Sequence, residues 1–147
     1  KNFDLTMFWQ GVQGVDIISD LKKETDLWSG LNIGFLNKGK RVLDAWSPAN
    51  PGSDIPALAR NDSNNEKRVS TYYVENGSFL KLRNLQVGYN IPKAWTEKIR
   101  MERLRFYLSA QNLLTIKSKD FTGVDPENVN YGYPIPLNIT FGVNVSF

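Results

Sequence analysis

Apolar and polar side chains alternate along four separate segments of the chain. The last of them, residues 138–147, reads NITFGVNVSF and has an apolar residue at every second position. Such alternation places one set of side chains on each face of an extended strand. The segments FDLTMFWQG (3–11), LRNLQVGYNI (82–91) and LRFYLSAQNL (104–113) have the same period of two and not the 3.6-residue period of a helix. The pattern predicts four β-strands of about ten residues each.

The connections between these strands alternate in length. The predicted strands occupy about residues 3–14, 79–91, 104–115 and 137–147. The first and third connections, residues 15–78 and 116–136, are long, and the second, residues 92–103, is short. In an antiparallel arrangement both long connections lie at one end of the sheet. Transmembrane β-barrels combine long extracellular loops with short periplasmic turns in this way, and tilted strands of about nine to eleven residues cross the bilayer. The pattern therefore favours an all-β membrane barrel.

The composition of the 147-residue chain removes several functional classes. The chain contains no Cys and no His, which excludes disulfides, thiolate metal sites, cysteine nucleophiles and histidine acid–base chemistry. Its hydrophobic content of 41% falls slightly short of the share usual in soluble domains, so this chain alone is not expected to build a large dry interior. The net charge of +3 is scattered and no RNP-like or helix-turn-helix pattern is present, so no nucleic-acid partner is predicted.

The first long connection has two parts of different character. Apolar residues such as Ile17 and Leu21 recur at loosely helical spacing, which predicts short helices. Pro48, Pro51 and Pro56 then favour extended backbone. The connection is also rich in aromatic residues, unlike disordered segments. It is therefore expected to be an ordered, packed loop.

Several stretches carry a resemblance to a known family. They are KNFDLTMFWQGVQGVDI (1–17), RVLDAWSPANPGSDIPALAR (41–60), NGSFLKLRNLQVGYNIPKAW (76–95), LRFYLSAQNLLTIKSKDFTGVDPE (104–127) and YPIPLNITFGVNVSF (133–147). In the same order, they resemble the C-terminal end of SusC/RagA-type TonB-dependent outer-membrane transporters of Bacteroidetes. The combination of SFLKLRNLQVGY, SAQNL, DPE and a terminal strand ending in Phe is specific to that family. The resemblance covers nearly the whole chain.

The resemblance implies a fold, an activity and partners. The fold is a barrel of about 22 strands in the bacterial outer membrane, of which this chain would form the last four, as one portion of a longer polypeptide. Family members import glycans or peptides with energy from TonB, so neither an enzyme activity nor a cofactor is expected of this chain. The partners implied are the remainder of the barrel and its plug, a SusD-like surface lipoprotein, the TonB complex through an N-terminal region, outer-membrane lipid, and an oligosaccharide or peptide substrate.

In such a barrel the apolar face of each strand meets lipid and the polar face lines a wet lumen. The lipid-facing residues predicted are Leu85, Val87, Tyr89, Ile139, Phe141, Val143 and Val145, with Val143 expected nearest the middle of the bilayer. Phe147 resembles the C-terminal recognition residue that acts as the assembly signal of outer-membrane proteins.

Other residues near the strand ends have two possible interpretations each. Tyr89 and Trp95, beside the short turn, fit an interfacial aromatic belt or strand-end aromatics of a soluble sheet. Lys81 and Arg83 have the parity of the lipid-facing set, which places them at anionic headgroups or on a solvated strand end.

The long connections contain the candidate ligand-facing residues. Those expected in or beside the substrate or lid region are Trp46, Pro48, Pro51, Pro56, Tyr131 and Tyr133. Asp54, Asp125 and Glu127 are the loop carboxylates to consider for acid–base chemistry, but Asp125 and Glu127 flank a proline, which is ordinary turn chemistry. An Asp-x-Glu pair alone also lacks the ligand count of a calcium loop. Neither a catalytic site nor a metal site is predicted.

A second hypothesis stays open at this point. The alternation is compatible with a soluble or surface β-sandwich module that binds carbohydrate through the aromatic long loop. A soluble module would express alone and remain monomeric without detergent. Four strands of an open barrel cannot close on themselves and would aggregate.

Overall fold

A computed structural model describes residues 2–28, 38–59, 65, 68–129 and 132–147, with the backbone alone at Trp28. The chain divides into two compact units, Lys1–Gln13 with Ser78–Ser118 and Ile135–Phe147, and Gly14–Gly77 with Lys119–Pro134. The strands are β1 (Phe3–Val12), β2 (Asp16–Ile18), β3 (Val74–Asn76), β4 (Phe79–Asn90), β5 (Arg103–Lys117) and β6 (Asn138–Ser146). The helical elements are α1 (Asp20–Lys22), a π-helical turn (Lys23–Trp28), 3₁₀ turns (Lys40–Asp44, Thr71–Tyr73 and Glu97–Ile99) and α2 (Lys93–Thr96).

The first unit is one sheet in the order β1-β4-β5-β6. Every neighbouring pair is antiparallel, and each strand coincides with a segment of polar–apolar alternation. Leu85 of β4 is opposite Met7 on β1 and Ala110 on β5, and Ala110 is opposite Ile139 on β6. These four apolar residues therefore share one face of the sheet. The predicted sheet of four antiparallel strands is confirmed, and its two outer strands, β1 and β6, do not pair with each other.

Both long connections leave the sheet at the same end. Phe79, at the start of β4, is opposite Val12 at the end of β1 and Lys117 at the end of β5. The short connection, residues 91–102, joins β4 to β5 at the other end. The sheet thus has the sorting of long and short connections that the sequence predicts.

A bulge in β4 changes the face on which its first residues lie. The register with β1 shifts at Arg83, which is an extra residue in β4. Beyond the shift Lys81 is opposite Gln10 on the polar side of β1, and Arg83 Nε donates to Gln10 Oε1 at 2.9 Å. At the matching irregularity in β5, Asn112 has a φ of 56°, a left-handed conformation that Asn tolerates well. The expectation that Lys81 and Arg83 share the lipid-facing side is wrong, because parity counted along the sequence ignores the extra residue.

The short connection is folded into two successive helical turns. Pro92 is the N-cap of α2, where no helical hydrogen bond requires its missing N–H. The side chain of Thr96 is buried and its Oγ1 donates to the Lys93 carbonyl at 3.2 Å. Arg100 has a φ of 56°, and this left-handed residue ends the helical segment. Trp95 is exposed at this end of the unit.

The second unit combines the strand pair β2–β3 with a small core. Ser19 precedes α1, and its Oγ accepts a hydrogen bond from the Lys22 N–H at 3.1 Å, as an N-cap does. The buried apolar side chains are Leu27, Val42, Tyr73 and Phe121. Among the described residues, no helical element has the length and apolar character needed to cross a membrane.

Candidate functional site

The apolar face of the four-stranded sheet is exposed across its whole width. Val87 of β4 is opposite Leu5 on β1 and Leu108 on β5, and Leu108 is opposite Phe141 on β6. All four are exposed, Phe141 to 67%. By register this face contains every residue of the predicted lipid-facing set: Leu85, Val87, Tyr89, Ile139, Phe141, Val143 and Val145. An exposed apolar surface of this extent is typical of a membrane or protein interface.

Two aromatic pairs bridge neighbouring strands on this face. The ring centroids of Phe3 and Tyr89 are 4.5 Å apart, and those of Phe106 and Phe141 are 6.2 Å apart. Cross-strand aromatic pairs stabilise antiparallel sheets. Val143 is opposite Phe106, which is opposite Tyr89. It therefore lies in the row of Tyr89, close to the end with the short connection.

The charged residues of the four strands all belong to the opposite face. By register and by the Arg83–Gln10 hydrogen bond, they are Asp4, Lys81, Arg83, Arg103, Arg105 and Lys117. No charged residue lies on the apolar face of these described strands. One face of the sheet thus suits water and the other suits an apolar medium.

An ion pair crosses β4 on this polar face. Arg105 Nη2 donates to Asp4 Oδ2 at 2.5 Å, and Asn90 Nδ2 donates to Asp4 Oδ1 at 3.3 Å. The pair passes directly over Gly88, where a Cβ atom would overlap Arg105 Nη2 and meet Asp4 Oδ1 at 2.6 Å. A side chain at position 88 would therefore displace the ion pair.

A fully buried carboxylate organises the second unit. Asp26 is 0% exposed and accepts hydrogen bonds from Arg41 Nε at 2.7 and 2.8 Å and from the Tyr72 hydroxyl at 2.7 Å. Thr25 Oγ1 donates to the same carboxylate at 3.1 Å. Burial raises the pKa of the Tyr72 hydroxyl above its ordinary value, and its hydrogen bond to Asp26 and the charge there raise it further. The network holds three distant parts of the first long connection together.

A second buried carboxylate joins the two long connections. Glu75 accepts hydrogen bonds from the Thr122 N–H at 3.0 Å and the Thr122 hydroxyl at 2.7 Å. Lys22 Nζ is 3.9 Å from Glu75 Oε1 and donates to the Tyr72 carbonyl at 2.5 Å. Residues from the connection β1–β4 and from the connection β5–β6 therefore form one packed body.

The predicted ligand-facing residues lie at separate places in this unit. Trp46 is 45% exposed, and its backbone N–H donates to the Ile55 carbonyl at 2.8 Å. This hydrogen bond closes the segment that contains the exposed Pro48 and Pro51. Pro56 contributes to a cavity of about 170 Å³.

Tyr133 lines a different cavity, of about 400 Å³. Tyr131 lies outside the described residues. The predicted residues that the structure describes therefore do not converge on one cavity.

The loop carboxylates lie in a turn or at the surface. Asp125 Oδ1 accepts a hydrogen bond from the Glu127 N–H at 3.0 Å, and the Asn128 N–H donates to the Asp125 carbonyl at 3.1 Å, so the DPE segment forms a turn. Asp54 is exposed and lines a cavity that Arg41 also lines. In the part of the chain that the structure describes, no three His, Cys, Asp or Glu residues are grouped to hold a metal ion.

The sequence alone does not point to the carboxylate networks. Arg41 is 15 residues from Asp26, and Tyr72 is 46 residues from it, so no local period links them. The Ser19 N-cap is the one local signal near this region, because Ser is favoured immediately before a helix.

No family model matches the chain. Two proteins of Formosa agariphila, TonB-dependent receptor P3 and TonB-dependent receptor P26, are 35% and 34% identical to it, over alignments that cover 100% of the chain. The chain belongs to the TonB-dependent receptors. It spans only 15% and 16% of the lengths of these two relatives.

Solved structures agree with this assignment. Structures of the RagAB peptide transporter are 29% identical to the chain and cover 100% of it, while the chain covers 16% of theirs. The TM-score is 0.75 for one structure and 0.80 for the importer in its open-open and closed-closed states. The SusC/RagA resemblance is confirmed. The four strands form the C-terminal part of the β-barrel of a TonB-dependent receptor in the outer membrane.

Proposed function

We propose that this receptor imports oligopeptides or glycans across the outer membrane with energy from TonB. The observation that carries the proposal is the division of the four strands into an apolar face without charge and a face that bears all their charged residues. A barrel wall needs this division, because lipid covers one side and water the other. The likeness to a protein described as a peptide importer supports the transport role.

The second unit would lie on the extracellular side. It contains most of both long connections, 15–78 and 116–136, and extracellular loops are the long ones in such barrels. We propose that the exposed Trp46 and its proline segment face a SusD-like lipoprotein or the substrate. The remainder of the barrel, its plug and the TonB complex would complete the transporter. Aromatic residues on ordered loops are common at such contacts.

Uptake measurements test this function. Cells that express the full-length receptor with its lipoprotein partner are given the fluorescently labelled tetrapeptide Ala-Leu-Leu-Ala, or labelled maltohexaose, in the presence and absence of TonB. We expect uptake of the peptide only when both receptor and TonB are present. Uptake that persists without TonB, or no uptake of either probe, would contradict the proposal. Uptake of maltohexaose alone would assign the receptor to glycans.

A further inference from the structure

A cavity of about 400 Å³ lies within the second unit, beside α1. This volume is within the range of about 300 to 1,000 Å³ usual for small-molecule sites. The apolar and aromatic residues that line it are Leu21, Val124, Val129, Tyr133 and Pro134. Among the described residues of the lining, Asp125 and Asn128 supply the other polar side chains. The cavity is thus mainly apolar, with few polar groups.

The polar side chains of the lining also hold its walls in place. Asp125 is 7% exposed and its Oδ1 accepts the Glu127 N–H at 3.0 Å. Asn128 Nδ2 donates to the Tyr133 carbonyl at 3.3 Å. A Cβ atom at Gly132 would overlap Asn128 Nδ2, so the glycine allows this brace to form. A wall that is braced before a ligand arrives loses less conformational entropy on binding.

Two large side chains of the lining face solvent. Tyr133 is 97% exposed and Val124 is 67% exposed. Covering apolar side chains of this kind removes their surface from water, and an aromatic ring offers the largest area. An apolar group bound in the cavity would therefore cover both side chains, and this burial would favour binding.

The lining selects against other ligand classes. A sugar ring would bring several hydroxyl groups into a cavity whose polar side chains already support its own turn, and buried hydroxyls without partners cost free energy. Anionic groups are disfavoured because, among the described residues that line the cavity, Asp125 is the charged one and none is Lys or Arg. An uncharged apolar group meets neither penalty.

We propose that this cavity binds an uncharged apolar side chain of an oligopeptide, with the ring of Tyr133 against it. The inference rests on the proposed function, because it defines which residue of an imported peptide the receptor prefers. It is separable from that function, because side-chain binding is measurable without transport.

A pair of matched variants tests the cavity. Val124→Trp would fill it from a position that is already 67% exposed, whereas Val69→Trp makes the same change at a position that is 63% exposed and does not line it. The full-length receptor in detergent, with its lipoprotein partner, is titrated calorimetrically with Ala-Leu-Leu-Ala, Ala-Ser-Ser-Ala and maltohexaose. We expect Val124→Trp to weaken binding of Ala-Leu-Leu-Ala by about tenfold to one hundredfold, and Val69→Trp to leave it unchanged. Ala-Ser-Ser-Ala should bind weakly and equally to all three proteins.

The outcomes separate the cavity from the transport function. Equal losses in the two variants, an unchanged affinity in Val124→Trp, or a loss confined to maltohexaose would each overturn the cavity proposal. If Ala-Leu-Leu-Ala binds as expected but cells import neither the peptide nor maltohexaose, the importer proposal fails and the cavity assignment stands. If cells import the peptide and Val124→Trp binds it like the unmodified receptor, the importer proposal stands and the cavity assignment fails.

Discussion

At the scale of single residues, the Asp26 carboxylate shows how the second unit is held together. A buried carboxylate costs several kcal/mol of solvation free energy, at order of magnitude, unless hydrogen-bonded partners offset it. Here Arg41 and Tyr72 supply those partners from distant parts of the chain. Loss of one partner leaves the carboxylate buried with less to offset its solvation penalty.

Replacing Arg41 with Met is therefore expected to destabilise the second unit. Because Arg41 is partly exposed, the loss should be about 3 kcal/mol, at the lower end of the range for a broken buried pair. Hydrogen exchange of the amides in the π-helical turn Lys23–Trp28, measured on the full-length receptor, reports the local unfolding free energy.

The control is Lys40→Met, which removes an exposed cation from the same 3₁₀ turn and should change the exchange little. Equal effects of Lys40→Met and Arg41→Met would show that Asp26 does not depend on its ion pair.

At the scale of elements, the strands were predictable and their irregularities were not. Two different media on the two faces impose a period of two, which local sequence displays. The bulge at Arg83 depends on how β4 pairs with its neighbours, and the four-residue α2 is too short to show a helical period. By register, Val143 shares the row of Tyr89, while Phe141 and Ile139 lie further along the sheet. We therefore expect Phe141 to lie nearer the middle of the bilayer than Val143.

Arginine substitutions along β6 are expected to show this depth. Phe141→Arg should cost about 2 to 4 kcal/mol, the penalty for a cation at the bilayer midplane of a barrel, and Val145→Arg about 0 to 1 kcal/mol near the surface. Thr140→Arg, one residue away on the polar face, should be mild because the lumen is wet. Outer-membrane abundance and heat-resistant folding of the full-length receptor give the readout. Equal losses for Phe141→Arg and Thr140→Arg would be incompatible with a lipid face.

At the scale of the whole molecule, the family and the barrel followed from sequence, whereas the candidate sites of the loops did not. The hydrogen bonds that join Glu75 to Thr122 span 47 residues, and no local sequence pattern in either segment predicts them. The cavity beside α1 likewise combines Leu21 with residues beyond 120. Of the described residues expected to face a ligand, Tyr133 is the one that lines this cavity. Packing between distant segments, which periodicity does not encode, decides where such sites form.

The central claim is that the apolar face of the sheet meets lipid and the polar face meets water. Spin labels placed singly along β6 of the full-length receptor in liposomes test it most directly. Labels at 139, 141, 143 and 145 should collide with oxygen, which concentrates in lipid, and labels at 140 and 144 should collide with a water-soluble nickel reagent. Accessibility that fails to alternate along the strand, or nickel collisions at both sets of positions, would contradict the account.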